Sequence, residues 1–244
     1  MKIGLVGYGK MGKAIEEIAT ERGHAVLFKS NSVFPLNEKD IESVDVIIEF
    51  TKPDLAIHHI NMVIANNKPI VVGTTGWNNQ LQEVEDLVSN NQGSLLYASN
   101  FSIGVNLFFE LNEKLAKLMS HRNQYIASID EIHHTQKIDA PSGTAITLAN
   151  GILENNDTYY SWVCEEGTKP HTTNGQLGVV AHRIPDVPGT HTVTYNSDID
   201  AISITHQAHN RKGFALGAVL AAEWLTDKKG IYTIKDMLKD IQAV

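Results

Sequence analysis

The stretch EIHHTQKIDAPSGT, residues 131–144, concentrates proton-transfer groups in one short run. It carries two adjacent histidines, His133 and His134, followed by Lys137 and then by a Pro-Ser-Gly-Thr segment. Histidine and lysine side chains can each pass a proton to a reacting group when their surroundings adjust their pKa values. The residue types in this run therefore predict an acid/base site.

The end of the same run has the features of a helix start. Pro141 is excluded from a helix interior and Ser142 suits an N-cap, so we expect a helix to begin at Gly143 and Thr144. The free N–H groups of a helix start, together with the Thr144 hydroxyl, can hold a carboxylate. Successive side chains of a strand point to opposite faces. The two histidines can therefore share this site only if their strand ends there.

Two other interpretations of the run stay open. Histidines at a strand end often belong to a surface or an interface, and a lysine is most often solvated. A metal site would need the acids Glu131 and Asp139 beside the histidines. Adjacent histidines lack the H-x-x-x-H or C-x-x-C spacing of strong metal motifs, so we predict no metal.

A glycine-rich loop near the N-terminus predicts a dinucleotide site. GYGKMG, residues 7–12, fits G-x-G-x-x-G and stands between a strand-like run, KIGLVG, and a helical pattern. The first glycine permits a tight turn, the second lets the backbone approach a pyrophosphate, and the third lets helix and strand pack closely. A glycine-rich surface turn is the alternative.

The second strand-like run, HAVLFK, bears on the choice of cofactor. Lys29, Ser30 and Asn31 stand where dinucleotide-binding chains usually carry an acid for the ribose hydroxyls. The missing acid favours a 2′-phosphate on Lys29, and hence NADPH, with NADH also possible. A solvated strand end is the alternative interpretation of Lys29.

The order of strand-like and helical patterns predicts the fold. Through the first hundred residues, five apolar runs alternate with helical patterns, which is typical of a parallel sheet with helices on both faces. The predicted strands are KIGLVG, HAVLFK, VDVIIEF, KPIVVG and SLLYAS. After residue 104, several strand-like runs follow one another, as in a mostly antiparallel sheet. We expect an α/β chain: an N-terminal Rossmann-like doubly wound parallel sheet, residues 1–104 plus 210–244, binding the dinucleotide. A second α+β domain on a mixed, mostly antiparallel sheet, residues 105–209, would bind the substrate.

Composition narrows the class of protein. The 244 residues carry a formal net charge of −8, which argues against nucleic acid or an anionic membrane as the main partner. Cys164 is the single cysteine, so no intramolecular disulfide points to an oxidising compartment. No signal peptide or long apolar run is evident, and we expect a cytoplasmic protein.

Five segments together resemble the bacterial dihydrodipicolinate reductase family, and they match in order over essentially the whole chain. They are GYGKMG, GTTGW, ASNFSIGVN, EIHHTQKIDAPSGTA and HNRKGFALGA. The fourth segment is far more specific than a nucleotide loop. The resemblance implies NAD(P)H-dependent reduction of 4-hydroxy-tetrahydrodipicolinate in lysine and diaminopimelate biosynthesis, with hydride passing to C4 of a cyclic dicarboxylate.

The resemblance also implies roles for individual residues. His133 would be the acid/base residue and Lys137 the proton donor, while His134, Gly143 and Thr144 would hold the substrate carboxylates. The implied cofactor contacts are Gly7, Tyr8, Gly9, Lys10, Met11, Gly12, Gly73, Thr74, Thr75, Ala98, Ser99, Asn100 and Phe101. The family is typically a homotetramer assembled through its second domain.

Some features depart from the family pattern. The glycine loop is one residue shorter than the common G-x-x-G-x-x-G form, and Pro185 stands where the family usually has glycine. Two other functions stay open at this point. One is another small amino-acid-pathway dehydrogenase of the aspartate or homoserine type, which the His-His-x-x-Lys run disfavours. The other is a non-catalytic nucleotide-sensing protein, which would not need Lys137 and His133.

Overall fold

A computed structural model describes residues 1–242 of the chain. The chain forms two compact units, one of Met1–Ile103 with Arg211–Val244 and the other of Gly104–Asn210. The sequence placed these two boundaries one residue later and one residue earlier, respectively. Residues 243 and 244 of the predicted first domain lie outside the described residues.

The first unit is built on a six-stranded parallel sheet with the strand order β11-β5-β4-β3-β1-β2. Its strands are β1 (Lys2–Val6), β2 (Ala25–Ser30), β3 (Val46–Glu49), β4 (Ile70–Val72), β5 (Ser94–Tyr97) and β11 (Gly230–Thr233). The sequence predicted the first five. The edge strand β11 was missed because its four residues are all only half-buried, so no apolar run identifies them.

Helices cover both faces of this sheet. They are α1 (Lys10–Glu21), α2 (Glu38–Glu42), α3 (Pro53–Ala65), α4 (Leu81–Asn90), which follows a 3-10 turn at Asn78–Gln80, α7 (Lys212–Leu225) and α8 (Ile234–Gln242). Alternate residues of one strand enter different cores. Ile48 packs with residues of α1, α7 and α8, whereas Ile47 packs with residues of α3 and α4. Both faces of the strands are therefore apolar, as a doubly wound sheet requires.

The second unit is built on a five-stranded mixed sheet with the order β10-β9-β6-β8-β7. Its elements are α5 (Ile103–Met119), β6 (Ile126–His133), α6 (Gly143–Asn155), β7 (Ser161–Glu166), β8 (Gln176–Arg183), β9 (Thr190–Asn196) and β10 (Ala201–Gln207). Two of the four strand pairings are parallel, β6 with β8 and β7 with β8. The sheet is mixed as predicted, but antiparallel pairs do not predominate. The helix α6 and the connection over 167–175 return the chain between strands, which makes parallel pairing possible.

One strand of this sheet carries polar groups into a buried layer. The buried positions of β6 alternate, so Glu131 and His133 lie on the same face as Ala127 and Ile129, which pack in the core with residues of α5 and α6. The strand ends at His133. This is the condition under which the adjacent histidines His133 and His134 can share one site. No helix of the described residues is long and apolar enough to cross a membrane.

Candidate active site

The loop after β6 leads directly into a helix start. The backbone N–H of Lys137 donates to the carbonyl of His134 at 3.1 Å, which closes a turn after the strand. Ser142 is the N-cap of α6, and its hydroxyl accepts from the N–H of Ala145 at 3.2 Å. The predicted N-cap and helix start are confirmed.

A fully buried carboxylate, that of Glu131, lies at the centre of this region. Both of its oxygens accept from the backbone N–H of Ser142 at 3.1 Å, and Oε1 lies 3.3 and 3.4 Å from the two terminal nitrogens of Arg183. Burial raises the pKa of Glu131, but hydrogen bonds from His191 and Ser142, together with the electrostatic effect of His133, outweigh it, and the pKa falls to about 2. Glu131 is therefore a carboxylate at neutral pH.

The register of the sheet assembles the partners of this carboxylate. Glu131 stands opposite His191 of β9, and His133 stands opposite Arg183 of β8. Nε2 of His191 lies 3.5 Å from Glu131 and 3.0 Å from the Ser142 hydroxyl. The sequence analysis missed His191 and Arg183. In β9 a period of two places His191 on the buried apolar face, and that pattern was the available signal.

His133 occupies the buried end of β6. Its Nδ1 lies 3.5 Å from Glu131 Oε2 and forms no hydrogen bond among the described residues, and its ring meets that of His191 edge-on at 5.0 Å. Burial lowers the pKa of His133 to about 4, against the opposing effect of Glu131. A Cβ at Gly189 would lie 3.0 Å from Nε2, so the absence of a side chain there leaves room for the ring. His133 is a neutral imidazole at pH 7.

Lys137 lies on the loop between the strand and the helix. Its ammonium contacts both carboxylate oxygens of Asp139 at 2.8 and 2.7 Å. Arg183 Nε donates to the carbonyl of Lys137 at 3.3 Å, and Arg183 Nη2 donates to that of Asp139 at 2.6 Å. One guanidinium thus ties the lysine-bearing loop to the buried Glu131.

The helix start beside these groups is accessible. By their position at the start of α6, the N–H groups of Gly143 and Thr144 have no partner within the helix. Gly143 is exposed, and a Cβ there would meet no atom within 4 Å. His134 is half-buried, and its Nδ1 forms no hydrogen bond among the described residues. This arrangement can receive an anion.

The residues Glu131, His133 and His191 also have the composition of a metal site, because one ligand atom of each lies within 4.8 Å of the others. The charge of the carboxylate is already compensated, however. The Arg183 guanidinium shares it, and the Ser142 N–H contacts both oxygens. The absence of a metal from this cluster stays a prediction of the sequence analysis.

The first unit has a second candidate site, made of two open clefts at the carboxyl ends of its strands. The larger, of about 390 Å³, is lined by Gly7, Gly9, Lys10, Met11, Phe50, Thr51, Pro53, Gly73, Thr74 and Thr75. The smaller, of about 220 Å³, is lined by Met11, Phe50, Gly73, Ser99, Asn100, Phe101, Arg211 and Phe214. Ligands of open α/β sheets bind at such an edge.

The glycine loop has the form that a dinucleotide requires. Gly7 has φ +97°, and a Cβ there would lie 2.0 Å from the Phe50 carbonyl oxygen, so another side chain would be both strained and crowded. At Gly9 a Cβ would meet no atom within 4 Å, which leaves the backbone before α1 open to a ligand. The residues present therefore fit a pyrophosphate at the start of α1.

Most of the predicted cofactor residues line the clefts, but not all. Tyr8, Gly12, Lys29 and Ala98 lie outside both linings. The residues that sequence analysis did not assign to the cofactor are Phe50, Thr51, Pro53, Arg211 and Phe214. The available signals were FTKP, which follows β3 directly, and HNRKGF, which leads into the first turn of α7.

A buried carboxylate also holds a loop beside the larger cleft through hydrogen bonds. Glu49, the last residue of β3, is fully buried, and its Oε1 accepts from the N–H of Thr51 at 3.1 Å and from the Thr51 hydroxyl. Nδ1 of His59 lies 3.4 Å from the same oxygen. The N–H of Thr51 also donates to the Thr74 hydroxyl at 2.7 Å, which joins the loops after β3 and β4.

Known proteins match this chain in both of its units. Family models described as dihydrodipicolinate reductase, N-terminus, and dihydrodipicolinate reductase, C-terminus, match residues 1–101 and 104–238. The 4-hydroxy-tetrahydrodipicolinate reductase of Christiangramia forsetii is 46% identical over 241 residues, which is 99% of each chain.

Solved structures share the fold. A dipicolinate-bound dihydrodipicolinate reductase from Paenisporosarcina sp. TG-14 has a TM-score of 0.74 at 22% identity, covering 96% of this chain and 97% of its own. An amine dehydrogenase from Mycobacterium smegmatis has a TM-score of 0.60 at 8% identity, covering 96% of this chain and 95% of its own. The predicted combination of a doubly wound sheet and a second mixed-sheet domain is confirmed.

Proposed function

Because the chain belongs to the dihydrodipicolinate reductase family, we propose that it reduces 4-hydroxy-tetrahydrodipicolinate to tetrahydrodipicolinate in lysine and diaminopimelate biosynthesis. The observation that carries this function is that a neutral buried imidazole, a lysine ammonium and an open helix start occur together in one short segment, residues 133–144. The chain is an oxidoreductase that uses a nicotinamide cofactor. An aspartate- or homoserine-type dehydrogenase and a non-catalytic sensor are both disfavoured by this family membership.

The second unit supplies the groups that bind and protonate the substrate. The N–H groups of Gly143 and Thr144, the Thr144 hydroxyl and His134 bind the carboxylates of a cyclic dicarboxylate. Hydride at C4 and one proton together replace the 4-hydroxyl group, which leaves as water, and Lys137 donates that proton. His133, neutral at pH 7, assists as the acid/base residue at Nε2, the nitrogen next to Gly189. The dipicolinate bound by the related solved enzyme is a ligand of the same chemical class.

The first unit holds the cofactor. Its reduced nicotinamide, when bound, supplies hydride to C4 of the substrate. The open backbone at Gly9 and the N-terminus of α1 bind the pyrophosphate, while the loops Gly73–Thr75 and Ser99–Phe101 contact the remainder. We expect NADPH to be preferred by a modest factor, with NADH also used, because no acid follows β2.

A homotetramer assembled through the second sheet is part of the proposal. The helices α5 and α6 pack on one face of that sheet. The other face presents a hydroxyl ladder in which Thr192 contacts Thr205 and Thr194 contacts Ser203, at 3.0 and 2.9 Å. Such a polar, accessible face suits sheet-to-sheet packing between copies. Light scattering on the purified protein should give four times the chain mass of 26.9 kDa. We place the enzyme in the cytoplasm.

A coupled assay tests the function. The substrate is generated in place from pyruvate and aspartate semialdehyde by its synthase, and oxidation of NADPH or NADH is followed at the nicotinamide absorbance. We expect cofactor oxidation only when both precursors and the synthase are present. Oxidation with aspartate semialdehyde alone would instead indicate a homoserine-type dehydrogenase. Cofactor binding without turnover would indicate a sensor.

A further inference from the structure

Three side chains form a charged cluster beside the glycine loop. Glu16 of α1 pairs with the ammonium of Lys29 through Oε1 and accepts from the Tyr8 hydroxyl through Oε2. The Lys29 ammonium also lies 4.9 Å from the centre of the Tyr8 ring. Sequence analysis treated Lys29 either as a free cation for a phosphate or as a solvated strand end, and it did not consider Glu16. In the structure Lys29 is engaged by an acid.

The cluster lies where β2 meets the glycine loop. The carbonyl of Ser30, the last residue of β2, accepts from the N–H groups of Gly7 and Tyr8 at 3.0 and 3.2 Å. In dinucleotide-binding folds the end of this strand is where an acid receives the ribose hydroxyls or a cation receives the 2′-phosphate. This chain has no acid at the strand end, and Glu16 brings one to the same place from the neighbouring helix.

The electrostatics of the cluster bear on a 2′-phosphate. Pairing with Lys29 lowers the pKa of Glu16, and pairing with Glu16 raises the pKa of Lys29, so both are charged at neutral pH. A dianionic 2′-phosphate that approaches Lys29 also approaches the Glu16 carboxylate. Repulsion by Glu16 therefore offsets attraction by Lys29, whereas a free 2′-hydroxyl can donate to the carboxylate.

We propose that Glu16 sets the balance between NADH and NADPH in this enzyme, by holding Lys29 and placing on α1 the acid that the end of β2 lacks. This inference rests on the proposed use of a nicotinamide cofactor. Glu16 acts at the 2′ position of the adenosine ribose. It limits the preference for the 2′-phosphate and keeps NADH usable.

Binding of cofactor fragments tests the proposal without turnover. Titration calorimetry would give the dissociation constants of 2′,5′-ADP and 5′-AMP for wild type and for Glu16→Gln, which keeps the shape and removes the charge. We expect the ratio of the two constants to shift toward 2′,5′-ADP by about three- to tenfold, the range for one partly exposed charge facing a dianion. Glu16→Ala, which favours the helix, should shift the ratio in the same direction.

The matched control is Glu17→Gln, on the same helix. Glu17 pairs with Lys212 at 2.6 Å, so this variant removes one acid and one surface ion pair without touching the cluster. Its binding ratio should equal that of wild type. An unchanged ratio in Glu16→Gln and Glu16→Ala, an equal shift in Glu17→Gln, or equal weakening of both fragments would each overturn the proposal. Fragment binding that behaves as expected, without reduction of the dicarboxylate, would reject the proposed function and leave this inference standing.

Discussion

Each unit of the protein buries a glutamate close to the carboxyl end of a strand, and the two differ in what surrounds them. Glu49, at the end of β3, contacts Thr51 and His59. Glu131, near the end of β6, contacts Arg183, two histidines and the N–H of Ser142. The first carboxylate fixes loop backbone beside a cleft lined largely by glycines and short side chains. The second pairs with a guanidinium and lies beside a buried imidazole.

The difference fits the proposed roles of the two sites. A dinucleotide is recognised largely through backbone N–H groups, so its site needs loops held in place and space near the glycines. Proton transfer needs groups whose pKa values are shifted from their ordinary range, and burial with nearby charges provides that shift. The same residue type therefore serves as a brace in one unit and as an electrostatic centre in the other.

The largest expected effect comes from removing the proposed proton donor. Lys137→Ala should lower kcat by about 10²–10⁴-fold, the usual contribution of general acid–base catalysis, while the dissociation constant of NADPH stays unchanged. Steady-state kinetics and cofactor titration measure the two quantities. Lys169→Ala, at an exposed lysine of the same unit, serves as the control. Retention of more than about a tenth of wild-type kcat would contradict the proton-donor role.

Separate single substitutions of the two glutamates sharpen the comparison. Glu131→Gln leaves the half-buried Arg183 without its carboxylate and should lower the free energy of unfolding by about 3–5 kcal/mol. Glu49→Gln leaves no guanidinium unpaired and should cost less, about 1–3 kcal/mol. Urea denaturation of both variants measures the difference. Equal losses of unfolding free energy in the two variants would contradict the argument that the unpaired Arg183 makes Glu131 the more costly carboxylate to replace.

The pH dependence of stability should follow the titration of His133 and Glu131. His133 has a folded-state pKa of about 4, below its ordinary 6.5, and Glu131 one of about 2, below 4.5. In both cases the unfolded chain takes up the proton first, so stability is lost as pH falls, from 6.5 to 4 for His133 and from 4.5 to 2 for Glu131. Melting temperature measured against pH should therefore decline below 6.5.

A variant of His133 measures how much of the decline in melting temperature comes from this histidine. His133→Asn should make the melting temperature flatter between pH 6.5 and 4, whatever its absolute stability, because the titrating group is gone. His171→Asn, at an exposed position of the same unit, should keep the wild-type slope. An unaltered slope in His133→Asn would mean that this imidazole is not held neutral by burial.

The smallest expected effect concerns the accessible helix start of α6 in the second unit. Thr144→Val nearly keeps the side-chain shape but removes the hydroxyl, and an unpaired carboxylate oxygen of the substrate should cost about 1–3 kcal/mol. The loss should appear in KM for the dicarboxylate if the contact is equally strong in ground and transition states. Thr147→Val offers a control, since its hydroxyl donates to the carbonyl of Gly143 within the helix. Unchanged KM and kcat in Thr144→Val would remove Thr144 from the site.

The sequence by itself determined the local features of this protein. The alternation of apolar runs and helical patterns predicted five of the six strands of the first sheet, because burial on both faces leaves a continuous apolar signature. Short-range chemistry also predicted the start of α6, where Pro141 and Ser142 act on neighbouring backbone groups. The motif in residues 131–144 indicated the family, although the roles of its residues stay predictions.

Only the tertiary structure decided which distant groups meet. Arg183 reaches Glu131 across 52 residues of sequence, and His191 is placed beside the same carboxylate by strand register. Lys29 looked like a free cation until Glu16, on another element, was found to hold its charge. Periodicity reports the face on which a side chain lies but not the partner strand or its register. The pKa values and the charge balance of both sites depend on those partners, and so they follow from packing rather than from local pattern.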